Sequence, residues 1–142
     1  MQQQAVPTLT LESVQVRAVS VPMRRPIVSK VGGYAHWPFI LIDMRTREGV
    51  VGHGYLEPYV HRSVGSITGI IDGIAETLRG KPLAPLDVYG GAMKTLHLNG
   101  REGMTLIALS GLDMAIWDAR ARAAGLPLAT LAPPGPDAAA AA

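Results

Sequence analysis

The chain has 142 residues, 48% of them hydrophobic, and carries a formal net charge of +2 at pH 7. This length fits one domain with a modest core, and the hydrophobic content predicts apolar surface that meets a partner. The absence of cysteine excludes disulfides, thiolate metal sites and a cysteine nucleophile. Because there is no basic stripe, signal peptide or membrane-length apolar run, we expect a soluble cytoplasmic protein with no nucleic-acid or membrane partner.

The N-terminal part of the chain has the pattern of a strand followed by a loop. β-Branched residues alternate from Leu9 to Val21, which predicts a strand, and the alternation slips after Leu11 and again after Val16. Such slips indicate a bulge or bend. Proline and glycine punctuate Met23–Pro38, the composition of a long mobile loop that often serves as a functional lid.

Two further strands are predicted as a hairpin. Phe39–Met44 and Val50–Leu56 are almost continuously apolar, and the Arg45–Gly49 segment between them ends in glycine. With the first strand they predict a three-stranded antiparallel meander.

The hydrophobic period then changes to that of amphipathic helices. A first helix is predicted over Val64–Leu78 with Ser63 as its N-cap, and a second from Asp87 to Asn99. The apolar residues predicted to face the core are Val64, Ile67, Ile71, Ile74 and Leu78 in the first helix, and Tyr89, Met93 and Leu96 in the second.

The helix predicted over Gly103–Ala124 is the one around which the chain is organised. It is apolar almost all round, which predicts burial on more than one side, and Gly125 with Pro127 marks its end. The helix therefore has the pattern of a seam between two bodies of protein. The small residues that would let another backbone approach it closely are Ala108, Ser110, Gly111 and Ala115.

Strands first and helices afterwards predict an α+β fold, a three-stranded antiparallel meander followed by a three-helix bundle on one face of the sheet. The domain is expected to span residues 9–131. Residues 1–8 are expected to be disordered, and the Pro/Ala-rich tail at 132–142 is expected to be disordered or an artefact of truncation.

Few polar residues in these elements suggest chemistry. Asp118 can pair with Arg122 four residues on, and Asp113 lies near Arg120, so both acids are interpreted as structural ion-pair or cap-binding residues, with a catalytic role as the alternative. His53 either lines a pocket or forms a hydrogen bond at a sheet edge. The chain has no phosphate-binding loop, nucleophile elbow or metal-ligand spacing, so we expect no catalytic and no metal-binding residue in it.

Several motifs carry a resemblance to a known family. They are Leu41-Ile-Asp43, Gly49-Val-Val-Gly-His-Gly-Tyr-Leu56, Pro82-Leu-Ala-Pro85, Ala108-Leu-Ser-Gly-Leu-Asp-Met-Ala-Ile-Trp-Asp118 and Gly125-Leu-Pro-Leu-Ala-Thr-Leu131. With the order of elements, they resemble the N-terminal capping domain of the mandelate racemase/muconate lactonizing enzyme family of the enolase superfamily, most closely its mandelate racemase branch. The likeness runs from about Val16 to Leu131.

The resemblance implies an enzyme of two parts. In that family a barrel, a fold of about 200 or more residues, supplies three carboxylates for Mg²⁺ and the bases that remove the α-proton of a small hydroxy acid. Mg²⁺ is therefore expected for a full-length member and not in this chain. The expected partner is the barrel, or a second copy through the Gly103–Ala124 helix. A second hypothesis is a stand-alone binding or interaction module that kept the capping fold.

Five residues match pocket-lining positions of the family: Ile27, Tyr34, Glu57, Tyr59 and Leu98. An acid at Glu57 suits hydroxyl donors better than a phenyl ring, so the resemblance favours a polyhydroxy acid, the substrate of a racemase or sugar-acid dehydratase. The alternative is a solvated loop acid. Arg24, Arg25 and Lys30 either attract an anionic substrate or only keep the first loop soluble.

Overall fold

The computed structural model describes residues 7–30 and 32–131. One antiparallel sheet of three strands, paired in chain order, is followed by helices, which confirms the α+β fold. The elements are β1 (Leu11–Ser29), β2 (Gly32–Thr46), β3 (Val51–Leu56), α1 (Val64–Leu78), α2 (Pro85–Thr95), α3 (Met104–Ala124) and α4 (Leu128–Leu131). Of the segments expected to be disordered, residues 1–6 and 132–142 lie outside the described residues.

The predicted loop over Met23–Pro38 is wrong, because both strands continue through it. β1 and β2 form one long hairpin in which Val21 pairs with Trp37 and Ile27 with Tyr34. Pro26 lies within a shift of register between Pro22 and Ile27, whereas Gly32 and Gly33 pair with Ser29 and Val28 at the end of the hairpin. This part of the chain is therefore a hairpin extension of the sheet and not a loop.

The position of each proline explains why the hairpin survives them. Pro22 and Pro26 lie on β1, an edge strand, where a missing N–H removes no bond to a further neighbour. Pro38 lies on the central strand, but pairing with β3 begins only at Ile40, so β2 has one neighbour at that point. The two predicted slips fare differently: the register does shift between Leu11 and Ser13, whereas pairing is continuous across Val16 and Val19.

The start of the chain forms a long-range ladder that the local pattern did not predict. The Leu11 N–H donates to the carbonyl of Lys81 over 3.1 Å, and the Leu83 N–H donates to the carbonyl of Leu9 over 2.7 Å. Leu9 and Leu83 are both 1% exposed. β1 itself begins at Leu11, and the preceding residues tie the sheet to the α1–α2 connection.

The first two helices bury most of the residues predicted for them. Ile67, Ile71 and Ile74 are buried, and Val64 and Leu78 pack against the core. Ser63 occupies the N-cap position of α1, as predicted, although its side chain makes no capping hydrogen bond.

The second helix begins two residues earlier than predicted, because Pro85 suits the first helical position. The helix ends at Thr95, where a 3₁₀ turn over Leu96–Asn99 follows. Leu96 is buried as predicted, whereas Tyr89 is 38% exposed, which contradicts the prediction that it faces the core.

Helix α3 lies directly on β3, and small residues make this possible. A Cβ atom added to Gly52 would lie 2.1 Å from the Ala115 carbonyl oxygen, and one added to Gly54 would lie 2.5 Å from the Gly111 carbonyl oxygen. A Cβ on Gly111 would meet Ile42 and Leu56. The predicted close approach of a backbone to this helix is confirmed, and the backbone is that of β3. We call the contact of Gly52 and Gly54 with α3 the glycine seam.

The end of α3 follows the predicted stop signal. Gly125 adopts the left-handed conformation (φ 65°, ψ 27°), its N–H donates to the Arg122 carbonyl, and the Leu126 N–H donates to the Ala121 carbonyl. The side of α3 away from the sheet is less well covered: Leu106 and Met114 are each 37% exposed. The sheet and sister helices therefore bury only part of this apolar helix.

Candidate functional site

Two residues near the end of the β1–β2 hairpin and two residues just after β3 form one group. The ring centroids of Tyr34 and Trp37 are 5.8 Å apart, and those of Trp37 and Tyr59 are 6.3 Å apart, both pairs nearly perpendicular. The Trp37 indole Nε1–H donates to Glu57 Oε2 over 3.2 Å. We call Tyr34, Trp37, Glu57 and Tyr59 the aromatic–carboxylate cluster. Three of its members were predicted at the sequence level as pocket-lining residues.

The remaining two predicted pocket residues are placed differently. Ile27 pairs with Tyr34 across the hairpin and is 38% exposed, so it adjoins the cluster. Leu98 lies in the 3₁₀ turn after α2 and is 93% exposed. Among the described residues, no hydrogen bond or ring contact joins Leu98 to the cluster.

The segment that carries Tyr59 has an unusual backbone. Tyr59 is the one non-glycine residue with positive φ in the described part of the chain, at 61°. The Val60 N–H donates to the Pro58 carbonyl over 2.7 Å, two residues back. This combination is typical of a γ-turn with a positive central φ, a strained turn that is rare in proteins.

Three basic residues lie on the same hairpin extension as Tyr34 and Trp37. Arg24, Arg25 and Lys30 are all exposed, and no ion pair involves them within the ranges that the structure covers. They leave the hairpin end with a positive charge.

A second polar group lies on the outer face of the sheet. Asp43 on β2 accepts from Arg17 over 2.6 Å and contacts His53 Nδ1 at 2.8 Å. The hydrogen bond to His53 lowers the pKa of Asp43, burial opposes this shift, and the Arg17 charge lowers the pKa further. His53 is thus engaged in a hydrogen bond on an edge strand, the structural alternative considered for it.

The two acids of α3 have different environments. Asp118 pairs with Arg122 at 2.6 Å, as predicted, and its carboxylate also accepts from the His53 backbone N–H over 2.8 Å, which ties α3 to β3.

Asp113 forms no ion pair with the residues described here, so the predicted pairing with Arg120 is wrong. Arg120 points to the Leu83 carbonyl instead, at 3.5 Å. Burial raises the pKa of Asp113, and a hydrogen bond with Trp117 partly opposes the shift.

A groove of about 860 Å³ lies elsewhere, between α1 and α2. Its walls are largely apolar, and its ionisable lining residues are Lys81 and Asp87. Gly65, Gly69 and Gly73 of α1 line it, and a Cβ atom added to any of them would meet open space. The groove is large but has few polar groups that could act on a ligand, so we place the candidate site at the aromatic–carboxylate cluster.

Neither a metal site nor a membrane span is found over residues 7–30 and 32–131. No three His, Asp or Glu side chains there lie close enough together to hold a metal ion. Within the same ranges, every helix is too short or too polar to cross a bilayer.

Comparison with known proteins identifies the family. The sequence model of the family described as "Mandelate racemase / muconate lactonizing enzyme, N-terminal domain" matches residues 12–132. The chain belongs to this family. An enolase structure from the alpha-proteobacterium bal199, with bound magnesium, has 44% identity and a TM-score of 0.84 over 87% of this chain and 34% of that one. An enolase from Bradyrhizobium complexed with magnesium and mandelic acid has 36% identity and a TM-score of 0.82, over 89% of this chain and 35% of that one.

The chain corresponds to only part of these mandelate racemase/muconate lactonizing enzyme relatives. The L-talarate/galactarate dehydratase of Salmonella typhimurium is 36% identical over 94 residues, which are 65% of this chain and 23% of the dehydratase. The chain thus spans about a third of the solved structures and a quarter of the curated relative. The similarity is to the N-terminal domain of racemases and sugar-acid dehydratases.

Sequence reasoning missed Trp37, which joins the other members of the cluster. Trp37 fell inside the segment predicted as a loop, where no strand register was available to place it beside Val21. The γ-turn at Tyr59 was missed as well, because a tyrosine gives no signal for positive φ. The one available signal for Trp37 was the aromatic content of this short stretch, which also holds Tyr34.

Proposed function

We propose that this chain is the capping domain of a Mg²⁺-dependent enzyme that removes the α-proton of a polyhydroxy acid, as a racemase or a sugar-acid dehydratase does. The single observation that carries the proposal is the aromatic–carboxylate cluster, in which three predicted pocket residues from two separate segments lie together. The relatives of known activity, L-talarate/galactarate dehydratase and D-galactonate dehydratase, support the substrate class.

The chemistry of the cluster suits a hydroxyl-rich ligand. A carboxylate such as Glu57 accepts hydrogen bonds from hydroxyl groups, and the faces of Tyr34 and Tyr59 offer apolar surface for C–H groups. Arg24, Arg25 and Lys30 on the same hairpin attract the negative charge of the acid. The cluster would therefore select the substrate.

The residues of this chain do not fit the Mg²⁺ of the family. Asp43 and Asp118 already bind arginine, and Mg²⁺ is usually held by carboxylates that are free to coordinate it. We therefore assign the metal and the proton-transferring bases to a barrel domain and route no step of the reaction through this chain. On this proposal the chain alone is inactive.

The outer face of α3 supports a covering partner. Leu106 and Met114 on α3, and Leu126 and Leu128 just after it, are between 37% and 44% exposed, which leaves apolar surface uncovered. A barrel would cover this surface, and in its absence a second copy would. Sedimentation velocity should show self-association that Leu106→Glu and Met114→Lys weaken.

The test of the proposal joins the chain to the C-terminal part of the Salmonella typhimurium L-talarate/galactarate dehydratase, in place of that dehydratase's own N-terminal domain. The joined protein with Mg²⁺ should exchange the α-proton of galactarate in deuterated water, and Glu57→Gln should reduce the exchange at least about tenfold. Glu102→Gln, which changes an exposed acid outside the cluster, is the matched control.

Three results would count against the proposal. α-Proton exchange by the chain alone would show that it carries its own catalytic groups. A joined protein that folds and still exchanges no acid would remove the capping role. A monomeric chain that binds a defined ligand other than a hydroxy acid would favour the stand-alone binding module.

A further inference from the structure

The side chain of Trp37 occupies the junction between the two segments of the cluster. It lies on β2 beside the buried Pro38 and is itself half-buried. Its ring contacts Tyr34 on the same strand and Tyr59 beyond β3, and both contacts are edge-on. No other ring contact among the described residues joins the hairpin end to the segment after β3.

The indole hydrogen bond fixes one oxygen of the Glu57 carboxylate. Nε1–H donates to Oε2 over 3.2 Å, and no described residue donates to Oε1. Indole has a single polar hydrogen, so this bond uses the whole hydrogen-bonding capacity of Trp37. One carboxylate oxygen is therefore held while the other keeps its capacity to accept from a ligand.

The backbone strain at Tyr59 needs compensation, and Trp37 is in position to provide it. A non-glycine residue with positive φ is strained, and it persists where the surrounding structure holds it in place. Tyr59 is 62% exposed, so burial does not hold its ring in place. The edge-on contact with Trp37 and the hydrogen bond within the turn are the interactions that favour this conformation.

We infer that Trp37 is the positioning residue of this site: it holds the Glu57 carboxylate and the two tyrosine rings as one preformed surface that distinguishes a polyhydroxy acid from its deoxy analogue. The inference rests on the proposed function for its substrate class. It adds a residue that none of the predicted pocket positions included. Trp37 acts through Glu57, because its own polar group is already engaged.

The experiment uses the full 142-residue chain labelled with ¹⁵N. The amide signals of Glu57 and Tyr59 are followed while galactarate, or adipate of the same length without hydroxyls, is added. Trp37→Phe keeps a ring but removes the N–H, Glu57→Gln keeps the shape but removes the charge, and the third variant combines both. Glu102→Gln is again the control, and the dispersion of the spectra reports folding for every variant.

We expect galactarate to bind the unmodified chain in the millimolar range and adipate several times more weakly. Losing a hydrogen bond to a charged group reduces binding about tenfold, so Trp37→Phe and Glu57→Gln should each abolish most of the preference for galactarate. Because both act through one contact, the double variant should lose no more than either single variant. Glu102→Gln should keep the preference.

The inference is overturned if Trp37→Phe keeps the galactarate preference, if the two effects add, or if the unmodified chain does not distinguish the two acids. A merely structural role for Trp37 would reduce binding of both acids equally. If the protein joined to a barrel turns over galactarate regardless of Trp37, the inference fails and the proposed function stands. If the coupling is observed but the joined protein is inactive, the proposed function fails.

Discussion

The glycine seam makes the sharpest prediction about stability. Gly52→Ala places a methyl group 2.1 Å from the Ala115 carbonyl oxygen and 2.7 Å from Ala119 Cβ. The first atom belongs to the backbone of α3 and the second is bonded directly to it, so neither can rotate away as the end of a long side chain can. Insertion of atoms into a packed interior costs about 1–3 kcal/mol, and we expect the upper end of this range because the strand and helix must separate.

The matched substitution is Gly73→Ala on α1, where an added Cβ meets nothing within 4 Å. Replacing an exposed helical glycine by alanine stabilises by about 0.5–1 kcal/mol, since alanine loses less conformational freedom on folding. The two variants add the same methyl group, and their predicted effects on stability have opposite signs.

Urea denaturation followed by circular dichroism measures both effects. With a slope of about 1–1.5 kcal/mol/M, Gly52→Ala should lower the midpoint by about 2 M and Gly73→Ala should raise it by about 0.5 M. A Gly52→Ala midpoint equal to that of the unmodified chain would refute the close approach of α3 to β3. A loss of stability in Gly73→Ala would show that the space beside Gly73 in the α1–α2 groove is occupied in the folded protein, so that the added methyl group clashes there.

Four further predictions concern the polar groups and the hairpin. Asp118→Ala should destabilise by about 1–2 kcal/mol by removing an acceptor from a backbone N–H, whereas Asp118→Asn should cost less, because the exposed ion pair contributes little. Since the folded-state pKa of Asp43 is lowered, its contribution to stability should be present above about pH 4 and lost as the pH falls further, and Asp43→Asn should abolish that loss. The raised pKa of Asp113 has the opposite sign, so Asp113→Asn should be stabilising at neutral pH and without effect in acid. Amide hydrogen exchange should be faster in residues 32–37, at the end of the hairpin, than in residues 40–44, which also pair with β3.

Each of these predictions has a contrary outcome. Equal stability of the Asp118→Ala variant and the unmodified chain would mean that the bond to β3 contributes nothing. A pH profile unchanged by Asp43→Asn, or a destabilised Asp113→Asn, would contradict the assigned causes of the pKa shifts. Uniform exchange along the hairpin would show that its far end is as stable as the sheet.

The elements with strong local periodicity could be predicted from the sequence. The stripe of Ile67, Ile71 and Ile74 predicted α1, and Gly125 predicted the end of α3, because both signals depend on neighbours within a turn or two. The long hairpin could not be predicted, because proline is tolerated wherever a strand has one neighbour, and the number of neighbours is a property of the whole sheet. The ladder between Leu9 and Leu83 is non-local for the same reason.

The candidate site was harder to predict than the fold because it lies where the core ends. The part of β2 that precedes Ile40 does not pair with β3, and most residues in that part of the hairpin are exposed. Burial therefore constrains Tyr34, Glu57 and Tyr59 weakly, and substitutions there should leave intact the fold that the glycine seam and the buried isoleucines maintain. What constrains the cluster instead is contact among its own members, with Trp37 common to every observed pair. A site built in this way leaves no periodic pattern in the sequence, and its central residue becomes visible only once the register of the hairpin is known.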